Sequence, residues 1–134
     1  MKILVIDGQG GGMGKQLVSR IRSAVPEAQI HAVGTNSVAA QAMLKAGAEH
    51  AATGENAVIV GCRSADVIVG PIGIVIADAL FGEITPSMAL AVAQSNARRI
   101  LIPSNLCDNY IAGTSETGLG ALIDDCVKKI RSFL

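Results

Sequence analysis

Met1-Lys2-Ile3-Leu4-Val5-Ile6-Asp7-Gly8-Gln9-Gly10-Gly11-Gly12-Met13-Gly14-Lys15 is the stretch whose reading decides the fold. An apolar, β-type run breaks into five glycines within the seven residues 8 to 14. A helical pattern starts at once, with Leu17, Val18, Ile21 and Val25 on one face. Strand, glycine turn and helix in this order aim backbone N–H groups and the positive end of a helix at an anion. Glycine suits such a turn because a Cβ would hold a phosphate away from the backbone. The stretch predicts a nucleotide or dinucleotide binder, with Gly8, Gly10, Gly11, Gly12, Met13, Gly14 and Lys15 around the phosphate.

Three spacings compete for this loop. The dinucleotide fingerprint G-x-G-x-x-G, started at Gly8, puts its third glycine on Met13 and fails. The variant G-x-x-x-G-x-G fits Gly8, Gly12 and Gly14 and resembles the short-chain dehydrogenase/reductase family over the first strand, turn and helix. That resemblance implies that Gly12 lets the backbone reach a pyrophosphate and that Gly14 packs helix on sheet. The family's Tyr-x-x-x-Lys is missing, because Tyr110 is the single tyrosine and Thr114 stands four residues on. The P-loop spacing aligns Gly14 and Lys15 but puts Gln16 where a Mg²⁺-binding hydroxyl belongs. A fourth reading needs no ligand, with the glycines serving strand–helix packing alone.

Further along, apolar runs alternate with helical patterns, as in a parallel α/β sheet. Strands are predicted at 2–6, 30–33, 49–52, 67–70, 99–102 and 110–112, and helices at 14–24, from a cap among Thr35, Asn36 and Ser37 to 45, from 53–56 to about 62, from 86 to about 95, and at 119–132. Gly47 stands where a C-cap glycine belongs, and Thr85-Pro86 is a helix start with a hydroxyl cap and proline at the first position. Periodicity leaves 71–77 open between a buried helix and an extended segment. The expected architecture is one doubly wound, mainly parallel six-stranded sheet, a Rossmann-like three-layer sandwich of order 3-2-1-4-5-6. It occupies residues 1–134 as a single domain, with no separate substrate domain.

Ligands of such sheets sit beyond the carboxyl ends of the strands, which gathers residues 8–14, 34–36, 53–56, 70–73 and 103–105. Gly70 and Pro71 join the candidate site on this ground. After the second strand the chain reads Val33-Gly34-Thr35-Asn36-Ser37, with none of the acid that holds an adenosine 2′-hydroxyl. Thr35 and Asn36 there resemble an NADP-type site, so NADP or NAD is the expected cofactor; plain helix capping is the competing role. Asp7 either accepts hydrogen bonds from the turn amides or binds a ribose hydroxyl or metal. Glu55 and Asn56 reach a nucleoside or sit as ordinary first-turn residues. Glu83 is either catalytic or a solvated loop carboxylate. Cys107 is a nucleophile candidate without a local base.

Composition narrows the classes. Eleven basic residues balance eleven acidic ones, and there are two Phe, one Tyr and no Trp, so neither a phosphate-neutralising surface nor a base-stacking platform is expected. No nucleic-acid partner follows. The longest strongly apolar run, between Asp66 and Asp78, is too short for a membrane span, which takes about 20 residues. With no signal-peptide pattern and three scattered cysteines, a reducing cytoplasm is the expected location. A mean hydropathy of +0.46 points to a homodimer or higher homo-oligomer, its contact expected at 67–77 or 84–92.

Four blocks carry a resemblance over nearly the whole chain: Ile6-Asp7-Gly8-Gln9-Gly10-Gly11-Gly12, Ala52-Thr53-Gly54-Glu55-Asn56-Ala57, Val69-Gly70-Pro71-Ile72-Gly73 and Gly82-Glu83-Ile84-Thr85-Pro86. Together they resemble a small family of uncharacterised bacterial proteins, domain of unknown function 3842. The resemblance implies a Rossmann-like domain and supplies no activity. The functional readings are therefore a sensor or accessory subunit that binds the nucleotide, an oxidoreductase completed by another subunit, a P-loop-like hydrolase, or an interaction module without a ligand.

Overall fold

Ile3, Leu4, Val5 and Ile6 are all buried, and they alternate between two cores. Ile3 and Val5 face one side of the sheet, Leu4 and Ile6 the other, as the period-two geometry of a strand requires. A strand apolar on both faces belongs in the middle of a parallel sheet. The computed structural model describes residues 1–103, 109–113 and 117–134. Among these residues the five strands are β1 (Lys2–Asp7), β2 (Gln29–Gly34), β3 (His50–Thr53), β4 (Val67–Pro71) and β5 (Arg98–Ile102). Every pairing is parallel and the order is β3-β2-β1-β4-β5.

The helices are α1 (Gly12–Ala24), α2 (Ser37–Lys45), α3 (Glu55–Ser64), α4 (Pro86–Gln94) and α5 (Leu119–Arg131). Leu17, Val18 and Ile21 of α1, Met43 of α2 and Ile123, Val127 and Ile130 of α5 pack on the face of Ile3, Val5, Val67 and Val69. Val58 and Cys62 of α3 with Met88 and Val92 of α4 pack on the face of Leu4, Ile6 and Ile68. The result is three layers, helix–sheet–helix.

The expected sixth strand is absent among the described residues. Residues 109–111 carry no strand, and residues 112–113 form a turn. Tyr110 is exposed; its three-residue run has too few apolar neighbours to bury a face of sheet, and α5 covers that flank instead, its Ile123 packed in the same core as Ile102. In segment 71–77, Pro71 closes β4 and the rest is neither long helix nor strand: it makes one 3₁₀ turn, Ile72–Val75, that drops Ile74 into the second core. The apolar run 67–71 is therefore explained inside the chain. Val67 to Pro71 are buried as a central strand, which overturns that part of the expected subunit contact. Thr85 caps α4 as its sequence predicts, accepting the Met88 N–H at 3.1 Å with Pro86 at the first position. Among the described residues no helix is long and apolar enough to cross a membrane.

Candidate functional site

The carboxyl ends of β1, β2 and β4 meet where the chain reverses its winding from β3 outward to β4. This is the position at which an open α/β sheet presents its crevice. Asp7 closes β1 and is buried. Its Oδ1 accepts the Gly8 N–H at 2.8 Å and its Oδ2 the Gly14 N–H at 2.6 Å. Asp7 thus ties both ends of the glycine loop together, the turn-bracing role. Burial pushes its carboxyl above the usual carboxylate range and nearby Glu83 adds to the shift, while the two N–H bonds pull it down.

The loop glycines divide by what surrounds them. A Cβ on Gly8 would meet Thr35 Oγ1 at 2.6 Å and Glu83 Oε2 and Leu80 Cδ1 at 2.9 Å. Gly11 caps α1 in the left-handed region, φ 75°, with Ala39 Cα of α2 at 2.7 Å from its Cβ position. Gly14 packs on Met43 Sδ at 2.6 Å and Asp7 Cβ at 2.8 Å, the helix-on-sheet contact its spacing predicts. Gly70 belongs to the same class, since a Cβ there would strike the Ile6 carbonyl, and Pro71 is buried beside it. Gly10 and Gly12 differ: both are exposed, neither has a positive φ, and nothing lies within 4 Å of either Cβ position.

The amides divide likewise. Gly8 and Gly14 donate to Asp7, Gln9 donates to Glu83 Oε2 at 2.7 Å, and Gly11 donates to the Gly8 carbonyl at 2.9 Å. Gly12 and Met13 open α1, where backbone N–H groups have no intrahelical acceptor. Lys15 is exposed one turn on.

On the β2 side, Asn36 is the cap of α2, its Oδ1 accepting the Ala39 N–H at 2.9 Å. Its Nδ2 donates to the Gln9 carbonyl at 2.9 Å and to Glu83 Oε1 at 2.7 Å. Asn36 is therefore committed to capping and to the glycine loop. Thr35 N–H donates to the Asp7 carbonyl at 3.0 Å, and its buried Oγ1 has no hydrogen-bond partner; the same holds for the buried Gln9 Nε2.

Glu83 is neither solvated nor isolated, contrary to the loop-carboxylate expectation. It is half-buried and spans the Gln9 N–H and the Asn36 amide. It arrives on an unusual loop: Asp78, Leu80, Phe81 and Gly82 have φ of 66°, 57°, 55° and 86°. Gln9, at φ 51°, is a further non-glycine residue in the left-handed region. No spacing rule flags this arrangement, since only Gly82 among these residues advertises a positive φ. Glu55 starts α3 and accepts the Thr85 hydroxyl at 2.5 Å, a first-turn residue that anchors the far end of the loop. Asn56 is exposed. Cys107 and residues 104–105 lie outside the described residues. Cys62 and Cys126 are buried, and burial pushes both thiols up to about 11, so neither is an activated nucleophile. Among the described residues no group of three or more His, Cys, Asp or Glu side chains is placed to hold a metal.

Residues 2–134 match the family described as Domain of unknown function (DUF3842). No curated protein matches the chain. The crystal structure of AibC aligns with 97% of this chain and 41% of its own, at a TM-score of 0.51 and 19% identity. The crystal structure of a dodecameric FMN-dependent UbiX-like decarboxylase from Escherichia coli O157:H7 aligns with 98% of this chain and 76% of its own, at a TM-score of 0.49 and 18% identity. The likeness to AibC is one of fold.

Proposed function

The chain belongs to the DUF3842 family, whose description carries no activity, and we propose from its own geometry that it binds a nucleotide or dinucleotide through a phosphate on the amides of Gly10, Gly12 and Met13. Lys15 supplies the charge beside that phosphate. The observation that carries this reading is the open space at Gly10 and Gly12. Gly8, Gly11 and Gly14 are glycines for packing or for φ; Gly10 and Gly12 have neither reason, and Gly12 weakens the first turn of its own helix. Close approach of an anion to a helix N-terminus accounts for both.

NADP or NAD is the cofactor class we assign. No carboxylate follows β2 in the sequence, as suits an NADP-type site, and the one carboxylate brought there in space is Glu83, whose Oε1 accepts from Asn36 Nδ2 at 2.7 Å. Of these two, Thr35 holds the polar atom not spent within the protein. The buried Gly70 and Pro71 serve as the floor of the crevice rather than as ligand contacts. The role we assign is that of a sensor or accessory subunit. We assign a symmetric homodimer, supported by exposed Val60 on α3 and Leu90 on α4, two helices on one face of the sheet; light scattering should return twice 13.7 kDa.

The second reading, a packing module without a ligand, has its own support in the filled surroundings of Gly8, Gly11, Gly14, Gly34 and Gly70. Calorimetric titration with NADP, NAD, ATP, FAD and FMN separates the two. Saturable binding lost in Gly12→Val supports the nucleotide reading. Binding unchanged by Gly12→Val makes the loop glycines packing residues and overturns the phosphate site, and binding of none of the five supports the packing module.

A further inference from the structure

The sequence puts no acid at the end of β2, but the fold brings one there from elsewhere. Glu83, on the loop after β4, accepts the Gln9 N–H just past β1 on Oε2 and Asn36 Nδ2 just past β2 on Oε1, each at 2.7 Å. An acid at the end of β2 is what holds the adenosine ribose in a dinucleotide site. We propose that Glu83 is the acceptor for a ribose diol in this crevice, so that the ligand carries a free 2′-hydroxyl rather than a 2′-phosphate. This rests on the phosphate-binding reading above and adds which of the two cofactor types the site prefers.

An ionised carboxylate accepts about four hydrogen bonds, two on each oxygen. Gln9 and Asn36 take one on each, and the remaining pair suits the two neighbouring hydroxyls of a ribose. Glu83 is half-buried, not enclosed. Its position is fixed in advance of any ligand. Ala79 and Leu80 of the same loop are buried in the second core, the Asp78 N–H donates to the Ile84 carbonyl at 2.7 Å, and the Ile84 N–H returns to the Ala79 carbonyl at 3.1 Å. Asp78, Leu80 and Phe81 hold positive φ in this turn, a conformation that persists only where the surroundings dictate it. Gln9 adjoins Gly10, whose amide belongs to the phosphate subsite. Diol acceptor and phosphate donors are therefore different groups side by side on one loop, as the 2′,3′ and 5′ positions are on one ribose. Charge opposes a 2′-phosphate at this place. Asp7 lies close enough to Glu83 for their charges to interact, and among the described residues neither acid has an ion-pair partner.

The test is calorimetry on the full chain with three probes that share a 5′-phosphate: AMP, 2′-deoxy-AMP and adenosine 2′,5′-bisphosphate. Wild type should bind AMP about tenfold more tightly than either of the others, because a site built to accept a hydroxyl rejects the analogue that lacks it. NAD should lead NADP by a similar ratio, with both binding saturably. Glu83→Gln keeps the size and removes the charge, and Glu83→Ala removes the group; both should bring the three probes within about twofold of one another. The wild-type ratios decide the ligand preference even where a variant fails to fold. AMP and 2′-deoxy-AMP bound alike by wild type, adenosine 2′,5′-bisphosphate bound as tightly as AMP, or ratios that survive in both variants while all three affinities fall together would make Glu83 a brace for Gln9 and Asn36. Each of these overturns the diol site and leaves the phosphate site standing. No binding of any probe by wild type overturns both.

Discussion

Alanine at positions 11, 12 and 14 should split a single glycine loop into residues that serve folding and a residue that serves binding. At Gly11 a Cβ is placed 2.7 Å from Ala39 Cα, a backbone atom that cannot step aside, and φ is 75°. The left-handed conformation costs about 1–2 kcal/mol and the overpacking about 1–3 kcal/mol, so Gly11→Ala should destabilise by about 2–5 kcal/mol. At Gly14 the nearest atoms are Met43 Sδ at 2.6 Å and Asp7 Cβ at 2.8 Å. Met43 has a flexible end, and the helix gains about 1 kcal/mol from losing a glycine, so Gly14→Ala should cost about 0–2 kcal/mol net. At Gly12 nothing lies within 4 Å of the Cβ position and φ is not positive. Gly12→Ala should therefore stabilise by about 0.4–1 kcal/mol through the unfolded chain, yet weaken NADP binding about tenfold or more, because the methyl enters the anion's approach. Urea unfolding gives the stabilities and calorimetry the affinities. A destabilised Gly12→Ala, or one that binds NADP as wild type does, would refute the division of the loop.

Three more outcomes follow from the same geometry. Lys15→Ala should weaken nucleotide binding by about 1–3 kcal/mol, the range for a hydrogen bond to a charged group, with the unfolding midpoint unchanged because Lys15 is exposed; calorimetry and urea titration check the pair. Thr85→Ala should cost about 1 kcal/mol from the lost cap of α4, and Thr85→Ser should restore it in the same unfolding assay. His31, half-exposed and 5.0 Å from His50 between ring centroids, is held below 6.5 by burial and by Lys2 and His50, against the pull of Glu49. The unfolded chain then takes up the proton first, so the His31 contribution to stability is full above 6.5 and falls as pH drops through the lowered folded value. Asp7, shifted upward, acts in the opposite sense, so the measurement is the difference between wild type and His31→Gln: a gap that shrinks or reverses on acidification supports the assignment, and a pH-independent gap contradicts it.

What the sequence made legible was what local chemistry decides alone. Ile3 to Ile6 and Val67 to Val69 are apolar on both faces, and only a central parallel strand buries both. Thr85-Pro86 and Asn36 are caps whose hydroxyl and amide meet an N–H three residues on. The 110–112 run failed because three residues of fair β character cannot make a strand without a neighbour to pair with. The candidate site was legible at Asp7 and Gly14, where bonds are local in the chain. It was opaque at Glu83, whose partners Gln9 and Asn36 lie 74 and 47 residues away. The left-handed loop that carries it was hidden because Asp78, Leu80 and Phe81 are residue types that rarely adopt a positive φ. The roles of Gly10 and Gly12 separated from those of Gly8, Gly11 and Gly14 only when their surroundings were known.

The account's central claim is that an anion lands on the start of α1, and amide chemical shifts of the ¹⁵N-labelled chain during titration with NADP report on that place directly. The account predicts saturable, co-varying shifts at the Gly10, Gly12 and Met13 amides, accompanied by Lys15, with Gly14 nearly still because its N–H stays on Asp7. A titration in which NADP binds while those three amides do not move, or in which nothing moves at all, would contradict it.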